Sequence, residues 1–190
     1  MKKTNQTLPY LIMAAAVASR FLPHPPNFTA VGAGALYGGR YFRGPIKYFV
    51  PLGAMLISDI FLGWHRTIPF VYGALLFNVW LGARIARRPK WYNVIGGTAA
   101  SSAVFYLVTN FGVWLIGSWY PHTVAGLVNC YVLALPFARW TLAGDLAYVV
   151  LFFGLTEAIG NRANIVYATR QYNQKLFIRQ VTKPKEARHG

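Results

Sequence analysis

Long apolar stretches separated by short basic clusters constrain this chain more than any other feature. Mostly apolar segments occupy residues 8–22, 28–42, 46–63, 68–86, 93–117 and 141–160, with a further one over 123–138. A helix crossing the hydrocarbon core of a bilayer needs about 20 predominantly apolar residues. The pattern therefore predicts an all-α integral membrane protein, a six-helix transmembrane bundle built on the first six segments named. Residues 1–162 form the membrane domain in this reading, and 163–190 a basic cytoplasmic tail.

Charge supports the class and suggests an orientation. Only 12% of residues are charged, about half the roughly 25% usual in soluble domains. Nineteen Lys and Arg face four Asp and Glu, a net charge of +15. A basic chain can bind nucleic acid, but that requires the charge to form a patch on a soluble domain. Here it is divided among loops, so no nucleic-acid partner is expected. Aromatic residues make up 16% of the chain, which excludes disorder. A single cysteine excludes a disulfide framework or a multi-cysteine metal site.

Lys and Arg accumulate in cytoplasmic loops of membrane proteins. With both termini inside, only Arg20, Arg66 and Arg139 of the nineteen basic residues lie outside. A true span at 123–138 would carry the basic tail outside as well. That stretch, interrupted by Pro136, is therefore expected to be an extra re-entrant or surface-lying helix on the outer side. Lys2 and Lys3 resemble the start of a signal peptide, but Ala14 to Ala18 sit inside the apolar stretch, which favours a retained first span. The localisation implied is a bacterial cytoplasmic (inner) membrane, multi-pass, with lipid as a partner.

Ionisable groups inside spans are costly and mark candidate sites. Asp59 lies near the outer end of the third span and Asp145 near the outer end of the last. The same orientation brings Arg20, His24 and Asn27 of the first loop, His65 of the second outer loop, and Arg139 to that side. Tyr72, Trp114 and Tyr131 are placed as walls of an outer cavity for a small polar or aromatic molecule. These ten residues are the candidate ligand set. For the charged ones a structural alternative stands beside it, in which Arg20 pairs with Asp59 and Arg139 with Asp145 to hold loops against helix ends. His24, His65 and His122 with Asp59 have metal-binding donor types. No pair shows ligand spacing on one helix, so neither metal nor other cofactor is expected.

No G-x-x-x-x-G-K-[ST], H-E-x-x-H or G-x-S-x-G motif occurs. No ATP site of the Walker type and no enzyme activity are expected. Small residues at four-residue spacing let helix backbones approach in lipid. They occur at Ala14 and Ala18, at Ala30, Gly34 and Gly38, and at Gly96, Gly97, Ala100 and Ser101. Each set suits packing within the bundle, and the Ala14–Ala18 face also suits docking of a partner.

The first loop reads Arg20-Phe21-Leu22-Pro23-His24-Pro25-Pro26-Asn27-Phe28, followed by Gly32-Ala33-Gly34-Ala35-Leu36-Tyr37-Gly38-Gly39, Pro51-Leu52, Ser58-Asp59 and Leu62-Gly63. Over about residues 8 to 160 the chain resembles a family of small uncharacterised bacterial membrane proteins related to the S components of energy-coupling factor transporters. The resemblance implies a substrate-capture subunit for a vitamin or other small metabolite, with an outward pocket under a first-loop lid. It also implies a scaffold subunit docked on Ala14 and Ala18, with two separate ATPases. The nickel and cobalt members begin with a metal-binding amino terminus, whereas this sequence starts Met1-Lys2-Lys3-Thr4 without histidine. A stand-alone small transporter or channel, or a non-catalytic membrane scaffold, is the alternative reading.

Overall fold

The computed structural model describes residues 7–85 and 90–181, and beyond residue 160 chiefly the backbone. Among the described residues there are six helices and no strand. They are α1 (Thr7–Ser19), α2 (Val31–Tyr41), α3 (Ile46–Leu62), α4 (Ile68–Ile85), α5 (Trp91–Ile116) and α6 (Val124–Val181). The all-helical class follows from the apolar patterning. In hydrocarbon every backbone polar group must be satisfied within its own segment, and the helix does this.

Among the described residues three stretches are long and apolar enough to cross a membrane: α4, α5 and Val124–Gly160 of α6. The first two helices are shorter than the apolar segments that hold them. At 1.5 Å per residue, the 13 residues of α1 and the 11 of α2 rise about 20 and 16 Å, against a hydrocarbon core of about 30 Å. Their boundaries have local causes. After Ser19, the amides of Arg20, Phe21 and Leu22 bond to carbonyls three residues back, a tighter winding that closes α1. Asn27 adopts φ 65°, a left-handed conformation that Asn tolerates, and the chain re-enters a helix only after Ala30.

A larger difference concerns residues 123–138. They do not form a separate re-entrant or surface helix. Val124 to Val181 is one helix that runs through Pro136 without a break. A proline removes one backbone hydrogen bond and strains the turn before it, which kinks or breaks many helices. Here Leu133, Ala134 and Leu135 before it and Leu142 and Ala143 after it are strong helix formers. Arg139, the one charge nearby, lies exposed with its guanidinium 5.7 Å from the Trp140 ring centre.

Two compact units are described separately, one ending at Phe153 and the other starting at Gly154. Within the first, α2 is the central element. Residues 33 to 39 are all buried, so this helix is enclosed on every side. Its Gly- and Ala-rich sequence makes that possible. A Cβ on Gly39 would collide with the Val79 carbonyl of α4, and one on Gly82 with the Leu36 carbonyl of α2. The α2 and α4 backbones are therefore in direct contact. On another side Gly38 receives Pro51 of α3, where a Cβ would come within 2.5 Å of the proline ring. Tyr37, fully buried, packs edge-on against Phe152 and Phe153 of α6 at 5.9 and 5.5 Å.

Candidate functional site

The site begins at the end of α1. Arg20 follows the last turn of that helix and reaches α3, where its Nη1 donates to Asp59 Oδ1 at 2.8 Å and also to the Ser58 hydroxyl. The same nitrogen lies 3.0 Å from Met55 Sδ. Tyr72 of α4 donates its hydroxyl to Asp59 Oδ2 at 3.0 Å. Asp59 is 1% exposed, so its charge is balanced by the guanidinium and the Tyr72 hydroxyl instead of water. Ser58 turns back along α3 and donates to the Met55 carbonyl at 2.8 Å. Three helices are thus tied at one point by a loop arginine, and the Arg20–Asp59 pairing expected from the sequence is formed.

Asp145 behaves differently from the sequence expectation. It makes no ion pair with Arg139. Its Oδ1 accepts the backbone N–H of Ala33 at 3.0 Å, and its Oδ2 accepts the Ser102 hydroxyl at 2.7 Å. Ala33 stands in the first turn of α2, a helix whose own N-cap, Ala30, supplies no side-chain acceptor. Helix N-termini leave unpaired donors and a partial positive charge, which a carboxylate satisfies. Asp145 therefore caps α2 from a different helix. Gly32 leaves the room, since a Cβ there would strike the carboxylate.

Between these two charged points lies a cavity of about 350 Å³. Its first wall is the loop and start of α2, with Asn27, Thr29, Val31 and Gly32, closed by Arg20 and Asp145. The second is one face of α5: Phe105, Tyr106, Thr109, Asn110 and Val113. The third is one face of α6: Ala134, Phe137, Ala138 and Thr141. Met55, His65 and Val71 complete the lining.

Hydrogen bonding fixes what these walls offer. All three Arg20 contacts use Nη1, so Nη2 and Nε keep their donors free of protein partners among the described residues. Thr109 and Thr141 donate to carbonyls one turn back in their own helices, Phe105 and Phe137, at 2.8 and 3.2 Å. Their oxygen lone pairs remain available. Asn110 Nδ2 donates to the Tyr106 carbonyl at 2.8 Å, which leaves its Oδ1 as an acceptor. Tyr106 spends its hydroxyl on the Tyr131 carbonyl at 2.6 Å. The cavity therefore has donors on the arginine side and acceptors along α5 and α6, with Phe105 and Phe137 as apolar surface.

Of the ten residues singled out in the sequence, Arg20, Asn27, His65 and Asp145 line this cavity. Asp59 and Tyr72 stand behind Arg20 and hold it. The remaining four are elsewhere. His24 donates Nδ1–H to the Leu22 carbonyl at 2.6 Å in an exposed turn. Trp114 donates to the Pro121 carbonyl at 3.0 Å and stacks edge-on with His122. Tyr131 donates its hydroxyl to the Leu107 carbonyl at 2.8 Å. Arg139 is exposed beside Trp140. The α5 and α6 walls were missed in the sequence. The signal was present on α5, where Thr109 and Asn110 interrupt an otherwise apolar run.

The small-residue faces also separate. Gly34 and Gly38 pack inward, and a Cβ on Gly97 would strike Ile85. Gly96 and Ala100 are exposed, and Ala14 and Ala18 lie on the exposed side of α1 while Ile12, Met13 and Ala16 face the core. Among the described residues no three His, Cys, Asp and Glu side chains converge in a way that could hold a metal.

Among the described residues, the fold and cavity define a helical protein with three helices suited to crossing a membrane and a polar-lined cavity between loop 1, α5 and α6. Residues 1–169 match the model of a family of unknown function, DUF6580, and the chain belongs to that family. No curated protein and no solved structure matches it.

Proposed function

We propose that this chain is a membrane-embedded, non-catalytic substrate-binding subunit, similar to the S component of an energy-coupling factor importer, for a vitamin or other small metabolite. The observation that carries this reading is the cavity of about 350 Å³, which Arg20 lines while bonding to the protein through Nη1 alone. That volume is at the lower end of the range for small-molecule pockets. The first loop suits a lid, because Pro23, Pro25 and Pro26 limit the conformations it must give up on closing.

The protein is taken to cross the inner membrane six times with both termini in the cytoplasm, which puts the cavity on the outer side. The continuity of α6 favours an even count, since 123–138 and 141–160 then belong to one crossing and not two. The basic residues follow the same sense. Ala14 and Ala18 on the exposed side of α1 offer a flat surface to a scaffold subunit.

Affinity purification from native membranes tests the assignment. A scaffold protein and two ATPases should be recovered with the wild-type chain and lost from a folded Ala14→Leu/Ala18→Leu variant. Recovery of the chain alone, after cross-linking in the membrane, would remove the importer reading. Filling the cavity with Ala138→Trp should abolish uptake while leaving that complex intact.

A further inference from the structure

Two charged groups line the cavity, Arg20 and Asp145, and a third, Asp59, stands behind Arg20 as its partner. Each already has its complement within the protein. The Arg20 guanidinium, 15% exposed, is neutralised by Asp59 at 2.8 Å. The Asp145 carboxylate, 3% exposed, is met by the Ala33 amide, the Ser102 hydroxyl and the positive end of α2. Arg139, the other cation expected to face a ligand, does not line the cavity. His65 adds an imidazole, held at its Nδ1 by Thr67 Oγ1 at 2.8 Å.

A ligand bearing a net charge would give up water and find no accessible counter-charge there: Arg20 is paired with Asp59, and Asp145, 3% exposed, is occupied by the Ala33 amide and the Ser102 hydroxyl. Burying an uncompensated ion is costly, whereas an uncharged polar group needs only its hydrogen bonds. Those bonds are offered by lining residues. Arg20 keeps Nη2 and Nε as donors without protein partners among the described residues, while Thr109 Oγ1, Asn110 Oδ1 and Thr141 Oγ1 on α5 and α6 keep acceptor lone pairs. Phe105 and Phe137 between them accept a flat or apolar body.

From this we propose that the cavity selects a small molecule of zero net charge, carrying a carbonyl-type acceptor for Arg20 and N–H or O–H donors for Thr109, Asn110 and Thr141. Amides, lactams and hydroxylated rings fit this description. Simple carboxylates, phosphates and amines do not. The inference rests on the reading of this cavity as a ligand site and specifies the class of its substrate.

Benzamide, benzoate and benzamidine test it, since they share one ring and nearly one shape and differ in charge. Binding of each to the purified full-length chain in detergent is measured by ligand-detected NMR at pH 8. Benzamide should bind at least about tenfold more tightly than either ion. Thr109→Val, which keeps the side-chain shape, should weaken benzamide and leave benzoate unchanged. Asp59→Asn frees the Arg20 charge and should shift the preference toward benzoate by about tenfold. Helicity and size-exclusion profiles confirm that each variant is folded. Benzoate or benzamidine binding as tightly as benzamide in the wild type would overturn the neutral-ligand inference and leave the cavity standing as a site. No binding of any probe, to the wild type or to Asp59→Asn, would overturn the cavity reading itself.

Discussion

Asp59, in the last turn of α3, and Asp145, in the interior of α6, are both buried carboxylates, and their surroundings give them different work. Asp59 is answered by a full charge from another element, Asp145 by backbone and hydroxyl donors. Asp59→Ala strands the guanidinium at a site only 15% exposed, and should cost about 3 kcal/mol, the usual scale for breaking a buried pair. Tyr72→Phe removes one hydrogen bond to the same carboxylate and should cost about 1 kcal/mol. Thermal unfolding in one detergent measures both, and equal losses would contradict this ranking. Asp145→Ala uncaps α2 and should destabilise by about 1 to 2 kcal/mol, in the range of lost helix caps. Ser102→Ala tests the same contact from α5 and should cost less. Pairing of Arg20 with Asp59 was legible because the chain has only four acidic residues and Arg20 is the lone charge of its apolar segment. The Asp145 cap was not, because its partner is a backbone amide 112 residues away that carries no sequence signature.

The helices meet in ways that composition only partly announces. The closest meeting is between α2 and α4, where Gly39 and Gly82 each stand against the other helix's backbone. Gly39→Ala or Gly82→Ala must push the two backbones apart, and either should cost several times the about 1 kcal/mol by which alanine ordinarily outdoes glycine in a helix. Gly96→Ala is the control: its Cβ meets nothing within 4 Å, so the alanine should be neutral or stabilising. Yield of monodisperse protein and unfolding temperature distinguish these outcomes. Small-residue spacing pointed to Gly34 and Gly38, which do pack inward. It also pointed to Gly96 and Ala100, which are exposed. Spacing marks a face but not what lies opposite. Pro136 teaches the same lesson for continuity. A proline with a nearby arginine resembles a helix boundary, and the flanking leucines and alanines carry the helix through.

At the scale of the whole molecule, topology and site location are linked. If the six-crossing arrangement holds, cysteines placed at Arg66 and Arg88 in a Cys130→Ala background should label from opposite sides of sealed vesicles. Labelling from the same side would overturn it. Cys130 is buried, with its thiol 3.5 Å from the Asn110 carbonyl, so its replacement removes a background reaction at little cost. The sequence by itself determined the helical class and the apolar segments. These depend on composition and period, which a linear chain displays in full. Only the tertiary structure decided that 124–181 is one helix, that Asp145 caps α2, and that α5 and α6 supply two of the three cavity walls. Those outcomes depend on contacts between residues far apart in the chain, and on whether each polar atom bonds back to its own helix or is left open to the cavity. Arg20 belongs to both accounts: its place in the first loop was evident at once, and its bonding through Nη1 alone, which leaves its other donors unused within the described residues, was not.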